Sequence, residues 1–137
     1  QYTTAALVTE NKTLCFPASA DSIPTSLGQE DHVSMGSISG RKFNRVLDNL
    51  EYIMAIELLS AAQAIEFRKP LKSSPMLEFA HDYVRQHVGF AEEDRIFADD
   101  INKVTTIIKD FSFVEKVNEF AASKKIELNR DYLGFIN

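Results

Sequence analysis

Between Phe43 and Ile65 the apolar residues Phe43, Val46, Leu47, Leu50, Ile53, Met54, Leu58, Ala61, Ala62 and Ile65 recur three and four positions apart. That spacing puts them on one stripe of an α-helix. The helix can run from near Asp31 to Phe67, which at 1.5 Å per residue makes it roughly 50 Å long. Arg68 and Lys69 suit its negative end, and Pro70 stops it. A chain of 137 residues suffices for one compact domain but not two. A helix of that length outreaches what the rest of the chain can cover. Its stripe therefore predicts partner helices outside this chain, and self-association of the chain alone.

The flanking segments are helical as well. Gln1 to about Leu14 reads as helix from the outset, with no Met and no capping residue ahead of it. A helix start usually offers Ser, Thr, Asp or Asn to its orphan amides, so the expectation is a chain cut from inside a longer one. From Cys15 to Glu30 periodicity disappears and Pro17, Asp21, Pro24, Gly28 and several hydroxyl residues take over. Irregular stretches of that length are often functional. Ser74-Pro75 places a cap before a first-turn proline and opens a helix ending near Gly89. Asp99 and Asp100 precede Ile101, Val104, Ile107 and Ile108, which predict another helix. Ser112-Phe113-Val114-Glu115 has capping-box spacing for a last one. No strand or repeat is evident. The expected fold class is all-α, in three stretches: a helix and irregular loop (1–30), the long helix (31–69) and short helices (70–137).

Composition narrows the possible functions. The formal net charge is -5, which disfavours nucleic acid, because neutralising phosphates requires a basic face. Arg41, Lys42 and Arg45 form the nearest basic cluster and read as a solvated or interface stretch. Cys15 is the only cysteine, so no internal disulfide can form, and a reduced, cytoplasmic setting is expected. No apolar run approaches the ~18 residues of a membrane span. His32, His81 and His87 lack metal-ligand spacing, so no metal is expected; His81 and His87 are expected on helix surfaces. Gly36 and Gly40 would permit close helix approach.

Gln29-Glu30-Asp31-His32 lies where the irregular loop meets the long helix. A carboxylate there would meet the positive end of the helix dipole. The plain reading is capping, with Asp31 as N-cap and Glu30 a solvated neighbour. His32 reads as structural.

The ordered set Thr9-Glu10-Asn11-Lys12, Pro17-Ala18-Ser19, Asp21-Ser22-Ile23-Pro24-Thr25-Ser26 and Gln29-Glu30-Asp31-His32-Val33-Ser34-Met35-Gly36 closely resembles the histidine branch of the aromatic amino acid ammonia-lyases. The likeness is dense over residues 1–42. It is looser through Ser74-Pro75, Glu93-Asp94-Arg95 and Asp100-Ile101, and beyond about Asp110 it is one of helical character only. The resemblance implies the C-terminal helical part of a homotetrameric carbon-nitrogen lyase. Such a lyase eliminates ammonia through a methylidene-imidazolone group cyclised from an Ala-Ser-Gly triplet. That triplet is absent: Ser39-Gly40 follows Ile38 and falls within the long helix.

The resemblance also makes Glu30 the active-site carboxylate, able to hold the substrate ammonium or move a proton. Gln29 becomes its substrate-binding neighbour. Relatives acting on phenylalanine or tyrosine generally carry an amide at the position of Glu30, so the carboxylate favours L-histidine, with urocanate as product. The chain alone should be inactive. Two alternatives stay open: a tyrosine or phenylalanine lyase or aminomutase of the same superfamily, and a helical interaction module without the chemistry.

Overall fold

The computed structural model describes residues 1–18, 20, 22–30, 32, 33 and 35–127. Among them the helices are α1 (Tyr2–Leu14), α2 (Gly36–Glu66), α3 (Pro75–His87), α4 (Ala98–Lys109) and α5 (Ser112–Ser123), with a 3-10 turn at Ser26–Gly28. The fold is all-α, as expected. The chain divides into two compact units, Gln1–Met54 and Ala55–Asn137.

In the second unit α3, α4 and α5 pack on one another. Their core is Ala55 and Ala62 from α2 with Val84, Val88, Val104 and Ile107. Val84, Val88 and Val104 are fully enclosed, and burial of each contributes about 1.5–3 kcal/mol. Local chemistry sets the helix ends. Ser74 adopts an extended backbone, its hydroxyl accepts from the Leu77 amide at 3.4 Å, and Pro75 occupies the first turn. Asp99 and Asp100 stand at the positive end of α4 and Lys109 at its negative end.

Two expected starts are corrected. α2 opens at Gly36 rather than near Asp31, because Met35 takes a left-handed φ of 47° that an α-helix does not allow. The capping role expected of Asp31 lies outside the described residues. α5 does begin at Ser112, but not through a capping box. Phe111 is its N-cap residue, at φ 61°, and the Asp110 carboxylate accepts from the Ser112 amide at 3.0 Å.

His81 is also not the surface residue expected. It is buried, with Nε2 2.9 Å from Glu66 Oε1 and Nδ1 3.2 Å from Asp82 Oδ1. The Nε2 contact is close but does not meet hydrogen-bond geometry, so that buried nitrogen has no hydrogen-bond partner among the described residues. His87 is exposed, as expected.

The first unit is held differently. No residue of α1 is buried. Asn49 of α2 is enclosed, and its amide donates to Glu10 Oε2 at 3.0 Å and to Asn11 Oδ1 at 2.9 Å. Arg45 reaches Glu10 Oε1 at 3.4 Å, and Lys42 Nζ donates to the Phe16 carbonyl. Two members of the basic cluster are thus tied to α1 and the loop after it. A Cβ on Gly40 would meet open space, so this chain makes no close helix approach there.

Candidate functional site

The loop bearing Gln29 and Glu30 is shaped by its own backbone. Thr25 and Glu30 pair as an isolated antiparallel bridge: the Thr25 amide donates to the Glu30 carbonyl at 2.8 Å, and the Glu30 amide to the Thr25 carbonyl at 3.2 Å. Inside it the Gly28 amide donates to Thr25 O at 3.1 Å and the Gln29 amide to Ser26 O at 3.2 Å. Closing so short a loop takes three successive left-handed residues, Ser26 at φ 54°, Leu27 at 58° and Gly28 at 85°. Glycine adopts that region freely, whereas the other two carry strain. The Val33 amide donates to Ser22 Oγ at 2.9 Å and ties the loop's exit to its entrance.

Gln29 and Glu30 are consecutive, and both side chains are exposed. Since α2 begins only at Gly36, Glu30 lies outside its first turn, and the expected helix-dipole contact is not made. His32 is exposed too.

A separate open cavity of about 470 Å³ lies between the start of this loop and α2, lined by Cys15, Phe16, Pro17, Lys42, Phe43 and Val46 among others. Neither Gln29 nor Glu30 lines it. Among the described residues no group of three His, Cys, Asp or Glu could hold a metal ion, and no helix is long and apolar enough to cross a membrane.

Two polar clusters escape a reading by spacing. One is the Glu10–Asn11–Asn49 network. Its signal in the sequence is a polar residue on the apolar stripe, since Asn49 lies three positions after Val46 and four before Ile53. The other is centred on Glu66, which has Lys69 Nζ at 2.6 Å and Arg85 Nε at 3.3 Å. The hydrogen bond from Lys69 holds the Glu66 carboxyl below its usual range. Partial burial opposes this, and the positive charges of Lys69 and Arg85 add to it. Arg85 also donates to Gln63 Oε1 at 3.2 Å, and Gln63 Nε2 to the Ala91 carbonyl at 2.8 Å. This cluster ties the end of α2 to α3 and the segment after it, and has the character of a structural clamp.

Comparison with known proteins gives the loop its context. The sequence model of the aromatic amino acid lyases matches residues 1–86 and so runs through the whole loop. A histidine ammonia-lyase of Aliivibrio fischeri is 49% identical over 113 residues, which are 82% of this chain and 22% of that protein. The crystal structure of histidine ammonia-lyase from Trypanosoma cruzi superposes with a TM-score of 0.82 at 46% identity, covering 87% of this chain and 24% of the other. A tyrosine aminomutase mutant superposes with the same TM-score of 0.82 at 37% identity, over 93% of this chain and 24% of its own. This chain therefore spans about a fifth of the length of the curated relatives it matches. With a family match over more than half its residues and close relatives in both sequence and structure, the chain belongs to the aromatic amino acid lyase family.

Proposed function

We propose that this chain is part of a histidine ammonia-lyase, which eliminates ammonia from L-histidine to give urocanate, and that Glu30 acts at its active site. The observation that carries this reading is that the family match runs through the Thr25–Glu30 loop, a locally built turn whose consecutive residues Gln29 and Glu30 carry an exposed amide and an exposed carboxylate. The reaction removes a proton from carbon and expels an ammonium. An anion beside that ammonium can hold it, and a carboxylate in reach of the proton can move it. Glu30 supplies the carboxylate, and Gln29 offers both donors and acceptors to the substrate's polar end.

The methylidene-imidazolone group of such lyases supplies the electrophile when present. The residues of this chain do not fit its formation: Ser39 and Gly40 follow Ile38 and lie within α2. That group must come from residues beyond this chain, so the chain alone should produce no urocanate. The full-length protein is proposed to be a cytoplasmic homotetramer. A second reading, a tyrosine-directed lyase or aminomutase, draws on the similarity to tyrosine aminomutase; the carboxylate of Glu30 favours histidine over it.

The test is urocanate formation by the full-length protein and its Glu30→Gln variant, with the isolated chain as a third sample. Gln keeps the shape and hydrogen-bonding capacity of Glu but not its charge. Turnover should fall at least ~100-fold, equivalent to about 2.7 kcal/mol of barrier, with an unchanged melt. A folded Glu30→Gln enzyme within about threefold of wild type would overturn the role of Glu30. Turnover that follows the purified chain would overturn its inactivity.

A further inference from the structure

Leu27 is the most exposed large apolar residue among the described residues, at 110% of its reference area. Nothing among the described residues covers it. Its backbone is left-handed at φ 58°, a conformation that L-residues with bulky side chains rarely adopt. The strain is held in place by the two hydrogen bonds of the Thr25–Glu30 bridge and the two inside it. Strained residues persist where the surroundings over-determine them, and they gather at ligand sites. Here the bridge that enforces the strain is closed by Glu30 itself.

Four consecutive residues, Leu27 to Glu30, thus carry an apolar side chain, a left-handed glycine, an amide and a carboxylate on one hydrogen-bonded turn. An aromatic amino acid has the complementary groups: a flat ring at one end, a carboxylate and an ammonium at the other. Ligand sites pair an apolar wall with a few fixed polar groups in this way. We propose that Leu27 is a specificity-determining residue that forms the wall against the substrate ring, while Gln29 and Glu30 meet the charged end. The assignment rests on the lyase reading above.

A wall that touches the ring equally before and during reaction contributes uniform binding, so its loss raises KM and spares kcat. In the full-length protein Leu27→Ala should raise KM for L-histidine on the order of tenfold, with kcat within about twofold. Leu27→Met, which conserves volume, should restore most of the loss. Melting of the full-length protein should not change. This pattern is opposite to the kcat loss expected of Glu30→Gln. A raised KM that comes with a lowered melting temperature overturns the assignment, because Leu27 would then be packed against protein rather than substrate. An active wild type whose Leu27→Ala variant keeps its KM overturns the Leu27 assignment alone. So does a Leu27→Ala variant that keeps its KM but changes its oligomeric mass in light scattering, which would make Leu27 a subunit contact. A wild type with no turnover of any aromatic amino acid overturns the lyase reading, and the Leu27 assignment with it.

Discussion

In the unit Ala55–Asn137, Val84 and Val104 have no exposed surface and Ile107 only 4%, whereas in Gln1–Met54 no described apolar side chain is buried at all. The enclosed side chain of the first unit is Asn49, a polar one fixed by Glu10 and Asn11. Along the same stretch of α2, Phe43, Leu47, Leu50 and Met54 are 60, 39, 44 and 47% exposed, spaced four, three and four apart on one helical face. The second unit therefore carries its own hydrophobic core. The first is organised by hydrogen bonds and leaves an apolar face uncovered among the described residues. The candidate site belongs to the first. Its loop is shaped locally by the Thr25–Glu30 bridge, yet the unit around it has no core of its own.

The largest effect that can break this contrast comes from cutting one side chain in each unit. Val84→Ala leaves a cavity in a closed core and should lower the stability of the isolated chain by about 2–3 kcal/mol. Leu50→Ala removes a half-exposed side chain and should cost under about 0.5 kcal/mol in the same chain. Urea unfolding followed by circular dichroism measures both. Equal costs in a sample that scatters light as a monomer would mean that the first unit has a core of its own after all. Equal costs that appear only with a mass above the monomer would instead report the self-association expected of the α2 stripe.

A smaller effect probes the clamp at the end of α2. Glu66 has a lowered folded-state pKa, so its contribution is fully present above its unfolded value of 4.5 and fades as pH falls through the lower folded value. Glu66→Gln resembles the protonated state at every pH. The variant should be less stable than wild type by about 1 kcal/mol at neutral pH. The difference should hold down to about pH 5 and shrink below it. Melting curves across that range decide the matter. A difference that persists unchanged at pH 3 would show that the side chain acts through packing, not charge.

These contrasts also explain what could be read in advance. The start of α3 was legible because Ser74-Pro75 acts through bonds made within four residues. The stripe from Phe43 to Ile65 identified α2 because periodicity survives any tertiary context. The first turn of α2 was misplaced, since the left-handed turn at Met35 leaves no periodic trace. His81 was misread because its environment is set in part by Glu66, fifteen positions earlier in the sequence, which no local spacing reveals. At the site, Gln29 and Glu30 were found through their resemblance to a family motif, not through spacing. The bridge that shapes them was invisible, since one antiparallel pair in a loop has no pattern of its own.

The smallest predicted effect tests how the second unit tolerates the backbone feature that the candidate loop exploits. Phe111 adopts φ 61° at the entrance of α5, yet its side chain is 66% exposed. A left-handed conformation costs an L-residue roughly 1–2 kcal/mol. Phe111→Gly removes that cost and gives up little burial. Against this, glycine loses more conformational freedom on folding, by roughly 0.5–1 kcal/mol. The Asp110 carboxylate still caps the Ser112 amide. The net change should be a stabilisation of a few tenths up to about 1 kcal/mol, read as a raised melting temperature. If the variant instead melts lower by more than that amount, the aromatic ring is holding α5 in place. The left-handed residue would then be serving a packing contact, and the parallel with Leu27, which nothing among the described residues covers, would fail.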